Sequence, residues 1–444
     1  MRRFSILGSV VTGGAIVAMF AGCGGAGSPS GSSSVLPSSS VDHAAGSIPN
    51  DHAAGSIPKS YDLTDIGSGL PGSPGLVPAG LNDKGTVVGS ASVGVLPSFP
   101  SCSPSTCGPP EGWIFQNGTL TELPPLGSDF VTVGDSINNA GYASGGSAGD
   151  VTEEAVLWSP NGSIINLGTG ILGSQSSAEA ISISNSRNIV GASYNYYNEV
   201  PTAFDGKGGA SAPCGPNTQG QLQKVNDSGV ATGVMFLYQG GGAAITCPPL
   251  TVIGSPPKPT FYDYGWGINN RGQGVGRLSI GAHFGDFHPY LYQNGKMTDL
   301  GTLFPGNPHA RGSAFGINDC GMIVGWSAKG GGTPGHPPVD WRAFIYSGGR
   351  MVDLNSLLSR DMQSKWTVVA AESINSKKQI IAAAYYGGYP NGVEHAVLLS
   401  PQGSEPTGIT RTIAPPAGWT KAPGSRAAWM KVVHARAKRF HLDR

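Results

Sequence analysis

Apolar and polar positions alternate along this chain in short runs set off by turns. In residues 288–326 the pattern is plain. An apolar run at Pro289, Tyr290, Leu291 and Tyr292 meets a turn at Asn294-Gly295, and Met297 to Gly301 forms a second run. After a long loop, Phe315-Gly316-Ile317 meets the turn Asn318-Asp319-Cys320-Gly321, followed by Met322 to Gly325. Runs this short predict four strands. Asn and Gly between them predict hairpins, because both accept the positive φ of a tight turn.

The second hairpin recurs. An apolar residue precedes Asn82, Asn138, Asn226, Asn269 and Asn318, and a glycine follows three residues later at Gly85, Gly141, Gly229, Gly272 and Gly321. Two copies are degenerate: Ser184 with Arg187, and Asn375 with Lys378. Seven residues beyond each Asn (or Ser184) stands Gly89, Gly145, Gly191, Gly233, Gly276 or Gly325, and Ala382 in the seventh copy. The copies are 56, 46, 42, 43, 49 and 57 residues apart, a period that predicts a propeller, solenoid or array.

The frame of the repeat decides among these. The region 61–403 opens on a Leu63-Thr64-Asp65-Ile66-Gly67 strand that lacks its hairpin partner, and closes on His395 to Leu399, the missing partner type. A solenoid has no reason to split one unit between its ends, whereas a ring does. The expectation is an all-β, seven-bladed β-propeller with four-stranded antiparallel blades, the last strand completing the first blade. A discontinuous parallel β-helix is the alternative.

These motifs resemble the bacterial extracellular repeats of the HAF family. The likeness rests on Met297-Thr298-Asp299-Leu300-Gly301, on Gly316-Ile317-Asn318-Asp319 with Ile323-Val324-Gly325, and on His395-Ala396-Val397, which nearly reproduces a His-Ala-Phe tripeptide. The resemblance covers 61–403. It implies a secreted or envelope protein and says little of activity.

Outside the repeats the pattern changes. Residues 1–23 place Arg2 and Arg3 before an apolar stretch ending Ala21-Gly22-Cys23, an export signal of lipoprotein type, with Cys23 as the expected lipidation site. Ordinary cleavage or an uncleaved anchor is the alternative. Residues 24–60 are rich in Gly, Ser and Pro and repeat an eight-residue unit from Asp42 and from Asp51, which predicts a disordered tether. Residues 404–444 form a basic tail. Its Trp429, Val432, Val433 and Phe440 share one side at helical spacing, so a short amphipathic helix or a solvated tail is expected.

Charge sharpens this. The chain is neutral overall, but residues 24–403 carry a net −8 and the tail +6. An acidic body argues against nucleic acid as a partner. An envelope polysaccharide or protein is expected instead, with a membrane engaged through the N-terminal lipid and the propeller itself monomeric.

Candidate chemistry is sparse. Cys102 with Cys107, and Cys214 with Cys247, are candidate disulfides in an oxidising compartment, leaving Cys320 over. His283, Asp286 and His288 are the densest group of metal-ligand types, read as a surface loop. Asp83, Asp227 and Asp319 recur at one turn position, read as turn chemistry rather than calcium ligands. Gly272, Gly274 and Gly276 lie inside a hairpin, not between strand and helix, so dinucleotide binding is unsupported. Glu111, Glu153 and Glu154 are loop carboxylates with no recognisable acid/base partner. No metal, cofactor or catalytic residue is assigned. The functional expectation is a non-catalytic, envelope-anchored binding or interaction scaffold, on the outer membrane or outside the cell, using the long connections 91–111, 281–288 and 330–340. A polysaccharide hydrolase or lyase on the same scaffold is the alternative.

Overall fold

Each Asn-x-x-Gly turn joins the two inner strands of a four-stranded antiparallel sheet, and seven such sheets stand around one axis. The computed structural model describes residues 55–68, 76–91, 111–149, 152–173, 176–236, 241–253, 263–280, 286–330 and 339–403, with the two-residue strand Val41–Asp42. The predicted signal with Cys23, most of the tether, Cys102, Cys107, His283 and the basic tail lie outside the described residues.

Blade 1 shows the pattern: Leu76–Leu81, Val87–Ala91, Glu111–Gln116 and Thr119–Glu122 pair in that order. The first strands of blades 2 to 7 are Val131–Ile137, Ser177–Ile183, Gly220–Val225, Tyr264–Ile268, Arg311–Ile317 and Trp366–Ile374. Each first strand packs on the first strands of both neighbouring blades, which makes it the innermost. Blade 7 is closed by the beginning of the chain: Tyr61–Gly67 pairs with Val393–Pro401 as its outermost strand. The architecture is the seven-bladed β-propeller expected from the repeat frame.

Because successive strands are antiparallel, all Asn turns lie on one face. The connections between second and third strands, and those from one blade to the next, lie on the other. The three long variable connections therefore start and end on this second, loop face.

Both faces of a blade are covered by neighbours, so second strands such as Val87–Ala91 and Ala143–Ala148 are buried at every position. Apolar clusters fill the wedges between blades. Val88, Leu123, Ile137 and Trp158 lie between blades 1 and 2, and Ile66, Leu76, Phe115 and Leu398 close the ring between blades 7 and 1. The recurring glycine of the second strand is a close-approach position. A Cβ at Gly145 would stand 1.8 Å from the Val133 carbonyl oxygen, and one at Gly233 2.1 Å from that of Gln221. Blade 7 carries Ala382 there. Its innermost strand has an additional register irregularity between Val368 and Ala370, where the obstructing carbonyl would be.

Three expectations are corrected. Residues 55–60 belong to the fold rather than to the tether: Gly55 N–H donates to the Cys320 carbonyl (3.2 Å), Ser347 Oγ to the Gly55 carbonyl (2.6 Å), and Ile57 packs on the core between blades 6 and 7. Cys320 is not left over but disulfide-bonded, its partner lying outside the described residues. Glu111, Glu153 and Glu154 are not on loops but open third strands at the loop face. Cys214, in the connection entering blade 4, is joined to Cys247 of that blade, with Cα atoms 5.5 Å apart.

Candidate functional site

The Asn turns build a belt of hydrogen bonds around the axis. Asn82 Nδ2 donates to the Asn138 carbonyl (3.1 Å), Asn138 to Ser184 (3.2 Å), Asn226 to Asn269 (3.1 Å), Asn269 to Asn318 (3.0 Å), Asn318 to Asn375 (3.1 Å), and Asn375 to Asn82 (2.9 Å). Ser184 is too short to make the seventh link. Asn188, four residues on, donates to the carbonyls of Asn226 (3.3 Å) and Asp227 (3.1 Å) in its place. Each Asn side-chain oxygen also closes its own turn, as when Asn318 Oδ1 accepts from Cys320 and Met322 N–H.

The adjacent position makes a second belt. Asp83 Oδ1 accepts from Ser376 N–H (2.9 Å), and Asp319 Oδ1 accepts from Asn270 N–H (2.8 Å). The recurring aspartates thus bond across blades, going beyond local turn chemistry. Among the described residues, no group of three or more His, Cys, Asp or Glu is placed to hold a metal ion.

The other sequence candidates are likewise engaged in structure. His288 Nδ1 lies 2.9 Å from Asp299, and Asp286 lies 3.5 Å from Arg311. His395 Nδ1 lies 2.9 Å from Asp65. The His of the tripeptide and the Asp of the Thr-Asp strand therefore tie a third strand to the outermost one, at the periphery of the ring. Glu153 accepts from the Tyr194 hydroxyl, and burial pushes the Glu111 carboxyl up to about 7, with Glu122 adding repulsion.

The site that sequence reasoning missed lies on the axis. Every innermost strand carries an irregularity at the third residue before its turn Asn or Ser184. The residues there are Ala79, Asp135, Ile181, Gln223, Trp266, Phe315 and Glu372, and all seven are partly exposed while most of their strand neighbours are buried. An innermost strand is covered by its own sheet on one edge and by blades on both faces. Solvent that reaches it comes along the axis, so these side chains ring the axial channel.

One residue nearer the turn, six blades carry Gly or Ser: Gly80, Ser136, Ser182, Gly267, Gly316 and Ser373. Space is short there, since a Cβ at Gly80 would stand 2.8 Å from Ser136 Cα. Blade 4 instead carries Lys224. Its Nζ lies 3.4 Å from Ser136 Oγ, two blades away, and no carboxylate among the described residues pairs with it. Burial pushes this amine down to about 8. Burial also pushes the Glu372 carboxyl up to about 8, with Glu394 adding to the effect, and Glu372 Oε1 has no hydrogen-bond partner.

Trp266 is the aromatic wall of the ring. It stacks on Tyr264 (centroids 5.0 Å apart, planes 11° apart) and meets Phe315 edge-on (5.7 Å, 89°). The Arg277 guanidinium lies over Tyr264, 4.5 Å from its centroid. Trp266 Nε1 is buried without a partner. A rigid indole, an ammonium, an amide and two carboxyls around one axis are the equipment of a polar ligand site. A sequence signal did exist. The third position before the turn is chemically unrestricted in a repeat whose neighbouring positions are restricted, and Lys224 breaks a run of Gly and Ser.

No family model matches the sequence, and no curated protein matches it. Among solved structures, the chain is similar to virginiamycin B lyase from Staphylococcus aureus, with 10% identity over 77% of this chain and 99% of that one and a TM-score of 0.38. It is similar to acylaminoacyl peptidase from Pyrococcus horikoshii, with 12% identity over 70% of this chain and 43% of that one and a TM-score of 0.34. It is also similar to a gluconolactonase from Xanthomonas campestris, with 10% identity over 59% and 82% and a TM-score of 0.29. At such distances, what the chain has in hand is its own architecture: a seven-bladed β-propeller with a chemically varied axial ring.

Proposed function

We propose that this protein is a non-catalytic binding propeller of the bacterial cell envelope, exported and held by lipid on Cys23, whose axial channel takes a polar ligand. The ring of seven side chains carries the reading. Its residues differ in chemistry from blade to blade, solvent reaches them, and they face the axis. Rigid blades fix the ring, as preorganised binding requires. The HAF-like motifs and the lipoprotein-type signal support an envelope location, and polysaccharide is the ligand class that a channel of mixed aromatic and polar groups suits. The test is depletion of the full chain from solution by a panel of immobilised envelope and extracellular polysaccharides. Selective depletion is expected; no depletion by any polysaccharide would refute the ligand class.

One observation favours the second reading, a polysaccharide hydrolase or lyase. Glu372 is held protonated near neutrality, and a second carboxyl, Asp135, belongs to the same ring. A protonated carboxyl and a second carboxyl are the residue types that glycosidic cleavage uses. Release of reducing ends or of unsaturated sugars that disappears in Glu372→Gln would establish this reading over the first.

A further inference from the structure

Lys224 is not required by the fold. Six blades place Gly or Ser at its position, and the blades close around them. In blade 4 a long cationic chain enters the channel instead, and its one polar side-chain contact among the described residues is a serine hydroxyl at 3.4 Å. An ammonium buried with so little compensation is costly, and such groups cluster at sites of function.

We propose that Lys224 is the counter-charge for a ligand carboxylate, and that the channel takes a small polyhydroxylated acid of the uronic acid class. The assignment rests on the channel being the binding site proposed above and names the chemistry it selects. The carboxylate meets the Lys224 ammonium. One face of the sugar ring lies against the Trp266 indole, already fixed by Tyr264 and Phe315. The ligand hydroxyls donate to Asp135 and exchange hydrogen bonds with the Gln223 amide. Glu372, protonated at neutral pH, donates to the ligand rather than repelling its charge. The indole N–H of Trp266 and Glu372 Oε1 are buried without hydrogen-bond partners beside this channel.

The test is calorimetric titration of the full chain with galacturonate and with galactose, its neutral counterpart. The acid is expected to bind at least about tenfold tighter, the scale of one charge-assisted contact. Lys224→Met should bring the acid down to the level of galactose, whereas Lys224→Arg should keep a preference for the acid. A second measurement needs no variant. Galacturonate should slow acylation of Lys224 by an amine reagent, read by peptide mass spectrometry, and galactose should not. Equal binding of the two sugars by the wild-type chain, an unchanged acid preference in Lys224→Met, or no protection of Lys224 would overturn the assignment. Depletion by neutral polysaccharides alone would also overturn it, while leaving the binding function in place.

Discussion

Lys224 and Glu372, both buried at the axis, carry a stability cost that is measurable. The Lys224 amine is at about 8 in the folded chain, against roughly 10.4 for a free lysine. Between these values the unfolded chain binds a proton that the folded chain does not, so stability rises with pH from about 8 to 10.4, and the full cost is present below 8. Lys224→Met should therefore raise the unfolding free energy at pH 7 by about 1–3 kcal/mol and abolish that rise, read by urea titration across pH. Glu372 has the opposite sense. Its carboxyl at about 8 holds a proton that the unfolded chain releases near 4.3, so stability falls as pH climbs between the two. Glu372→Gln should flatten that fall, a gain on the order of 1–3 kcal/mol at pH 8. A fall as steep as in the wild type would mean that Glu372 is already ionised and solvated.

At the scale of the element, the hairpin turn does two jobs. Asn shapes its own turn with its oxygen and binds the next blade with its nitrogen, which explains its recurrence better than turn propensity alone. Glycine three residues later takes positive φ, from 74° at Gly272 to 90° at Gly141, and in the degenerate copies Arg187 and Lys378 both sit at 65°. Those two are held by other contacts: Arg187 lies 4.2 Å from the Tyr142 ring centroid, and Lys378 Nζ donates to the Ser56 carbonyl (3.2 Å). Asn188 substitutes for the missing Asn at 184. Asn188→Ala should thus cost about 1–2 kcal/mol in chemical denaturation, the loss expected of a ring Asn, although Asn188 lies outside the motif. A change within about 0.3 kcal/mol would show that the belt tolerates a gap.

The same elements show what was legible in the sequence. Turn chemistry repeats wherever the backbone needs it, so blades could be counted from Asn and Gly alone. The outermost strand of blade 3 leaves no pattern in the sequence because it is two residues long, Ala210–Ser211. The role of Asn188 depends on what stands across a blade boundary, which no local pattern records. The axial ring was hidden for a different reason: its residues share a location and no chemistry, so they form no motif. Which strand is innermost followed from packing between blades, not from the alternation along any of them.

At the scale of the whole molecule, the ring is closed by a single strand. Tyr61–Gly67 pairs along Val393–Pro401, and Tyr61 and Ile66 are buried by it, at 2% and 1% exposure. Removing residues 55–67 should leave the Val393–Pro401 edge open, lower the melting temperature and promote aggregation, seen by calorimetry with light scattering. An unchanged melting temperature would mean that six complete blades and one incomplete blade suffice. Closure also fixes the channel, because seven first strands can face one axis only when the last blade meets the first. The proposed function therefore depends on whether that axis binds. The direct measurement is depletion by envelope polysaccharide of the wild-type chain beside a Trp266→Ala, Lys224→Met double variant that still unfolds in one cooperative transition above the assay temperature. Loss of depletion in the double variant is predicted; depletion equal to wild type would place recognition outside the channel and contradict the account.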